Sequence, residues 1–116
     1  MVNEMSPRVL APARIKQLNR LQSALRIRMK DMVLLDRALT HRSFSNEFGK
    51  SCIDNERLEY LGDSVLALVV NEYLFKRYGD YLEGDLAKIK STVVSENVLY
   101  QVASDIGLGD YLLLGK

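Results

Sequence analysis

Three carboxylates, Glu56, Glu59 and Asp63, follow one another at steps of three and four residues in the segment NERLEYLGDSVL, Asn55–Leu66. On an α-helix they share roughly 60° of arc, each within a turn of the next. Clustered carboxylate oxygens hold hard divalent cations, and a cation so held can activate water. Without a cation, like charges at these spacings cost about 0.2–0.5 kcal/mol per pair. The alternative is a solvated first turn, because acids suit a helix N-terminus, where they meet the positive end of the dipole. That accounts for Glu56, with Asp54 or Asn55 as N-cap. It accounts less well for Glu59 and hardly at all for Asp63. Spacing alone leaves both readings open.

The helix that carries the stripe has an apolar face made of Leu58, Leu61, Val65, Leu68 and Val69, and Val65–Val70 is apolar all round. Such a helix is covered on several sides, so the stripe is expected to border a core or a subunit interface. Gly62 costs about 1 kcal/mol against alanine in a helix interior, and something is expected to approach the backbone there. Around this helix the periodicity predicts others. Met1–Pro12 reads as a loose lead-in, and Ile15, Leu18, Leu21 and Leu25 then share a helical face. A second helix starts near Asp31 and runs through Leu34, Leu35, Ala38 and Leu39. THRSFSNEFG, Thr40–Gly49, reads as a polar loop. The acidic helix spans Asn55 to Arg77, with Gly79 as its cap. Tyr81–Gly84 is a turn, Asp85 opens a helix, and Ser95 caps the next, which Gly107 stops. No useful length alternates with period two, so the expected class is all-α.

At 116 residues and 47% hydrophobic, the chain is one domain or part of one. No apolar run approaches the roughly 20 residues of a membrane span. No charged-then-apolar leader is visible either. The single cysteine, Cys52, excludes an internal disulfide framework and fits a reducing, cytoplasmic setting. Cys52 with the lone His41 is too little for structural zinc, and Cys52 reads as a bystander thiol. The net charge of +1 does not announce a nucleic-acid binder. Its distribution is uneven: residues 1–30 hold seven basic side chains and one acid, leaving nine basic and fourteen acidic side chains for residues 31–116. A basic segment on an acidic body fits a polyanion held at the rim and metal ions at the centre, but on charge alone an ordinary solvated helix with no partner is the better reading.

NERLEYLGDSVL resembles the signature of the ribonuclease III endonuclease domain. ALTHRSFSNE, Ala38–Glu47, is similar to the family's segment before the signature. EGDLAKIKSTVVSENVL, Glu83–Leu99, and IGLGDYLLLGK, Ile106–Lys116, are similar to the segments after it, in order and spacing. The resemblance spans about Leu18 to the end and implies a double-stranded-RNA endonuclease. It implies a homodimer dependent on Mg²⁺, with Mn²⁺ expected to substitute and no small-molecule cofactor. The expected role is rRNA and mRNA processing, leaving 5′-phosphate and 3′-hydroxyl ends. Carried over by position, Glu59 matches a metal ligand, and Asp63 matches a metal ligand and catalytic residue. Glu56 and Glu83 match acids of the same valley that act on RNA or on a second metal. Tyr60 stands where the family has phenylalanine, an aromatic that enters the partner subunit, and its hydroxyl would need a polar partner if buried. His41 matches a packing element and reads as structural.

The family's domain continues past LLLGK to a helix carrying an aspartate and, three residues on, a glutamate that complete the metal shell. A double-stranded-RNA-binding domain usually follows. The expected organisation is therefore a flexible basic lead-in, residues 1–17, and an endonuclease domain incomplete at its C-terminus, residues 18–116. Such a fragment is expected to be inactive or weak and to leave apolar residues exposed. Two rivals remain. One is a non-catalytic RNA- or ribosome-binding helical module of the same fold. The other is a helical interaction domain whose acidic stripe is only a solvated face.

Overall fold

A computed structural model describes residues 9–48 and 53–116 of the chain. Pro12, whose fixed φ suits a first helical position, opens α1 (Pro12–Leu25). Pro12–Gln17 are thus helical, and the flexible lead-in expected over residues 1–17 gives way to α1 within that span. Residues 1–8 lie outside the described part, as does Cys52. Asp31 accepts the Leu34 amide and caps α2 (Met32–Ala38). The apolar faces of α1 and α2 meet, and Leu18, Leu21, Leu35 and Leu39 form the buried core.

The segment expected as a polar loop contains a helix, α3 (Arg42–Phe48). Its support is partly local: Phe44 and Phe48 stack one turn apart with ring centres 4.4 Å from each other. The rest is long-range. Residues 113–116 run along this segment, with a parallel bridge between Thr40 and Leu113. His41 N–H donates to the Leu113 carbonyl at 2.9 Å, and Leu113 N–H to that of Leu39 at 2.8 Å. The Gly115 amide donates to Ser43 Oγ at 2.9 Å and the Lys116 amide to Glu47 Oε1 at 2.7 Å. A Cβ on Gly115 would collide with the Ser43 carbonyl, so only glycine lets the two backbones come this close.

The acidic helix is α4 (Glu56–Arg77). Gly79, expected as its cap, has no left-handed backbone; among the described glycines only Gly107 does. Tyr78 and Tyr81, with rings 4.7 Å apart, shape the turn that follows. α5 (Glu83–Val93) begins two residues before the expected Asp85, because Glu83 and Asp85 together supply its acidic first turn. Ser95 accepts the Val98 amide and caps α6 (Glu96–Asp105), and Gly107, at φ 67°, ends it. A short 3₁₀ helix, Leu108–Tyr111, then packs back on α1, bringing Leu108, Tyr111 and Leu112 to the core. Among the described residues there are six α-helices and no strand longer than the isolated bridge, so the all-α expectation holds.

The covering predicted for α4 is not supplied within this chain. Only Leu74 is buried on it, while Tyr60, Leu61, Val65, Leu68 and Val69 are all more than half exposed. Nothing in the described chain comes within 4 Å of a Cβ built on Gly62, so the close approach expected there is absent. The accessible surface is 9508 Å². A compact monomer of this mass exposes about 6,400 Å².

Candidate active site

The N-terminal end of α4 is fastened before any acid of the stripe is reached. Asp54 Oδ1 accepts the Glu56 amide at 3.1 Å, so Asp54 rather than Asn55 supplies the side-chain cap. Its other oxygen accepts from Ser45 Oγ at 3.3 Å, and its carbonyl accepts from Arg37 Nε at 3.1 Å. Asn55 instead reaches sideways, its Nδ2 donating to the Ala38 carbonyl and its amide to that of Thr40, each at 2.9 Å. Thr40, fully buried, is held by its own hydroxyl bond to the Asp36 carbonyl at 2.7 Å. The α2 C-terminus, α3 and the start of α4 therefore form one hydrogen-bonded corner.

From that corner the acids point outward. Glu56, Glu59 and Asp63 are all exposed, as is Glu83 at the first turn of α5. Glu56 Oε1 meets Arg42 Nη1 at 3.1 Å, both side chains more than half exposed. Among the described residues Glu59 and Asp63 have no such ion pair. Among the described residues no three of His, Cys, Asp and Glu come together in a set that could hold an ion. Glu83 therefore does not join Glu59 and Asp63 as a third ligand in this chain. What α4 presents is a pair of carboxylates one turn apart on a solvated face. Mg²⁺ is commonly held by one or two carboxylates with its remaining positions taken by water and phosphate, so the pair suits a hard cation.

His41 is exposed, and its Nδ1 lies 2.7 Å from Ser43 Oγ and accepts the Ser43 amide at 3.1 Å. The ring thus caps α3, and among the described residues it has no carboxylate partner. Tyr60 is 82% exposed, with its hydroxyl in solvent. Two site residues escape a reading of the sequence. Arg42 and Ser45 belong to a segment that looks like a loop, and the acids they touch lie about ten residues away, beyond any local spacing rule.

The comparisons with known proteins decide the family. The model of the Ribonuclease-III-like family matches residues 31–116, which contain α2 to α6 and the whole acidic stripe. The chain belongs to the ribonuclease-III-like family. Ribonuclease 3 of Treponema denticola is 49% identical over 107 residues, covering 92% of this chain and 44% of that protein. Ribonuclease 3 of Borreliella burgdorferi is 42% identical over 116 residues, covering 100% of this chain and 47% of that protein. This ribonuclease-III-like chain thus spans about half the length of the curated relatives it matches. Among solved structures, the nuclease domain of ribonuclease III from Campylobacter jejuni superposes with a TM-score of 0.76 at 44% identity, covering 84% of this chain and 65% of that one. That structure is described for structural flexibility in the region involved in dimer formation.

Proposed function

We propose that this chain is the core of the endonuclease domain of an enzyme that hydrolyses double-stranded RNA. It would act as a homodimer and with a divalent cation, Mg²⁺ by preference. The observation that carries this reading is the exposed Glu59–Asp63 pair on α4, in a chain of the ribonuclease-III-like family. Glu59 and Asp63 would hold the ion. When bound, it supplies a nucleophilic water at neutral pH and offsets the charge that develops on the phosphoryl group. The chain's own part is positional. Asp54, Asn55 and Thr40 fix the start of α4, so the pair stands at a constant height above the corner. Glu56, held by Arg42, and Glu83 at the start of α5 would border the RNA rather than complete the ion's shell. Duplex RNA would be held through phosphates and 2′-hydroxyls, hence by shape.

The homodimer reading is supported by the open apolar face of α4. On it Leu61, Val65, Leu68 and Val69 are each more than half exposed, and contiguous exposed apolar surface of this kind marks an interaction site. Tyr60, 82% exposed, stands beside that face near the N-terminal end of α4. Processing of rRNA and mRNA in the cytoplasm belongs to the same proposal. Among the described residues no helix is long and apolar enough to cross a membrane.

The test is cleavage of a long RNA duplex with Mg²⁺ by this chain, by a version extended as far as its curated relatives, and by Asp63→Asn in each. We expect cleavage by the extended protein that Asp63→Asn abolishes, with little or none from the 116 residues alone. Full cleavage by the extended Asp63→Asn protein would remove Asp63 from the site. No cleavage by either wild-type length would favour a non-catalytic RNA-binding module.

A further inference from the structure

The corner between α1 and α2 carries a feature that neither the core nor the acidic face uses. Arg26 has φ 55° and ψ 40°, the left-handed conformation, and is the one non-glycine residue with positive φ among the described residues. The turn is a helix stop: the Ile27 amide returns to the Gln22 carbonyl at 3.0 Å, and the Arg26 amide to that of Ser23 at 3.2 Å. Glycine fits this position without cost, whereas a residue with a Cβ pays in strain. An arginine here keeps a long cation at an unfavourable place, and such an outlier calls for a use.

The surroundings indicate one. Arg26 and Arg28 line an open hollow of about 470 Å³ with Asn19, Ser23 and the half-buried Met29 and Met32. Gln22 pins the loop that bears them: its Oε1 accepts the Met29 amide, and its Nε2 donates to Asn19 Oδ1 at 3.2 Å. Neither guanidinium has an acidic partner among the described residues. Between residues 9 and 30 the chain has six cations and no acid. Arg14 is buried and paired with Asp36; Lys16, Arg20, Arg26, Arg28 and Lys30 are all exposed. The nearest carboxylate in sequence, Asp31, is engaged as the α2 cap. Lys16, Arg20 and Ser23 are neighbours along one side of α1, so the basic side chains lead to the hollow over about 15 Å of helix. A track of exposed cations that ends in two arginines lining one hollow suits a repeating anion more than a single one.

We propose that this corner is a second RNA-contact site, at which Arg26 and Arg28 grip phosphates of a duplex backbone independently of sequence. It rests on the nuclease reading above and adds a site on the opposite end of the α1–α2 pair from the acidic corner. The substitution Arg26→Gly makes it testable without a folding penalty, because glycine relieves the left-handed strain while removing the charge. Binding of the 116-residue chain to a short RNA duplex is measured by fluorescence anisotropy in EDTA across a salt series, beside thermal melting. Arg26→Gly should melt no lower than the wild type. It should bind several-fold more weakly, with a salt slope smaller by about one, and adding Arg28→Ala should take away about one more. Inorganic phosphate at matched ionic strength should not displace the duplex. Unchanged slopes in both variants, with the wild type binding normally, overturn this site and leave the nuclease reading standing. Displacement by inorganic phosphate marks a single-anion pocket and overturns the track. Equal losses on a poly-glutamate chain show a general acidic-partner surface and overturn the RNA assignment. Failure of the wild type to bind duplex at all sinks the site; if the extended protein also fails to cleave, the nuclease reading falls with it.

Discussion

Asp36 and Arg14 stand 2.7 Å apart, with side chains 5% and 7% exposed, and the two charges are affordable only together. Arg14 also donates to Gln17 Oε1 at 2.7 Å, and Gln17 passes a bond to the Asp110 carbonyl at 2.9 Å, so one arginine links α1, α2 and the 3₁₀ helix. Its Nη2 is buried with no partner among the described residues, which adds to the desolvation. Asp36→Ala should therefore cost about 3–5 kcal/mol, read from the urea midpoint, because it strands a buried guanidinium. Asp36→Leu combined with Arg14→Met should recover most of that loss. Arg42→Ala gives the contrast. The Arg42–Glu56 pair is exposed and contributes about 0–1 kcal/mol, so the urea midpoint should hardly move. A large drop would mean that the pair carries the corner. Neither pairing was legible in the sequence: Arg14 and Asp36 are 22 positions apart and Arg42 and Glu56 are 14 apart. The acids of the stripe were legible, since three and four are the spacings of one helical face.

At the scale of elements, the helices that could be read ahead of the structure carry their own punctuation. Asp31 and Ser95 cap, Gly107 stops, and the faces between them repeat with helical period. α3 could not be read in this way. Seven mostly polar residues are below the length at which a helix stands alone, and α3 exists because α4 and residues 113–116 hold it from two sides. Gly115→Ala tests this directly. The added methyl must push the Ser43 backbone away, at about 1–3 kcal/mol. Amide exchange at His41 and Leu113, whose protons bridge the two segments, should accelerate, while α6 amides keep their protection. Equal protection throughout would mean that the 113–116 segment is not what holds α3.

For the whole molecule, the radius of gyration of 17.0 Å exceeds the roughly 13 Å of a compact chain this long. The described core lies between α1, α2 and the 3₁₀ helix, and the α4 face is bare. The sequence led to the expectation of a helix covered on several sides, because apolar periodicity marks a face without naming what packs on it; in this chain the face is open. Concentration-dependent sedimentation should show association, and Leu68→Glu, on a residue 67% exposed, should reduce it while leaving the melting temperature of the α1–α2 core unchanged. Association that Leu68→Glu leaves intact would place the contact elsewhere. The return of Leu108, Tyr111 and Leu112 to helices that begin the chain has a consequence on the ribosome. The first two helices are made early, yet their core lacks its last wall until residue 112 has emerged, and Thr40 meets Leu113 only then. At roughly 5–20 residues per second, α1 and α2 wait several seconds half-packed behind a growing α4 whose apolar face is also open. Synthesis, more than refolding from denaturant, is thus the stage at which this protein is most exposed to capture by chaperones or to aggregation.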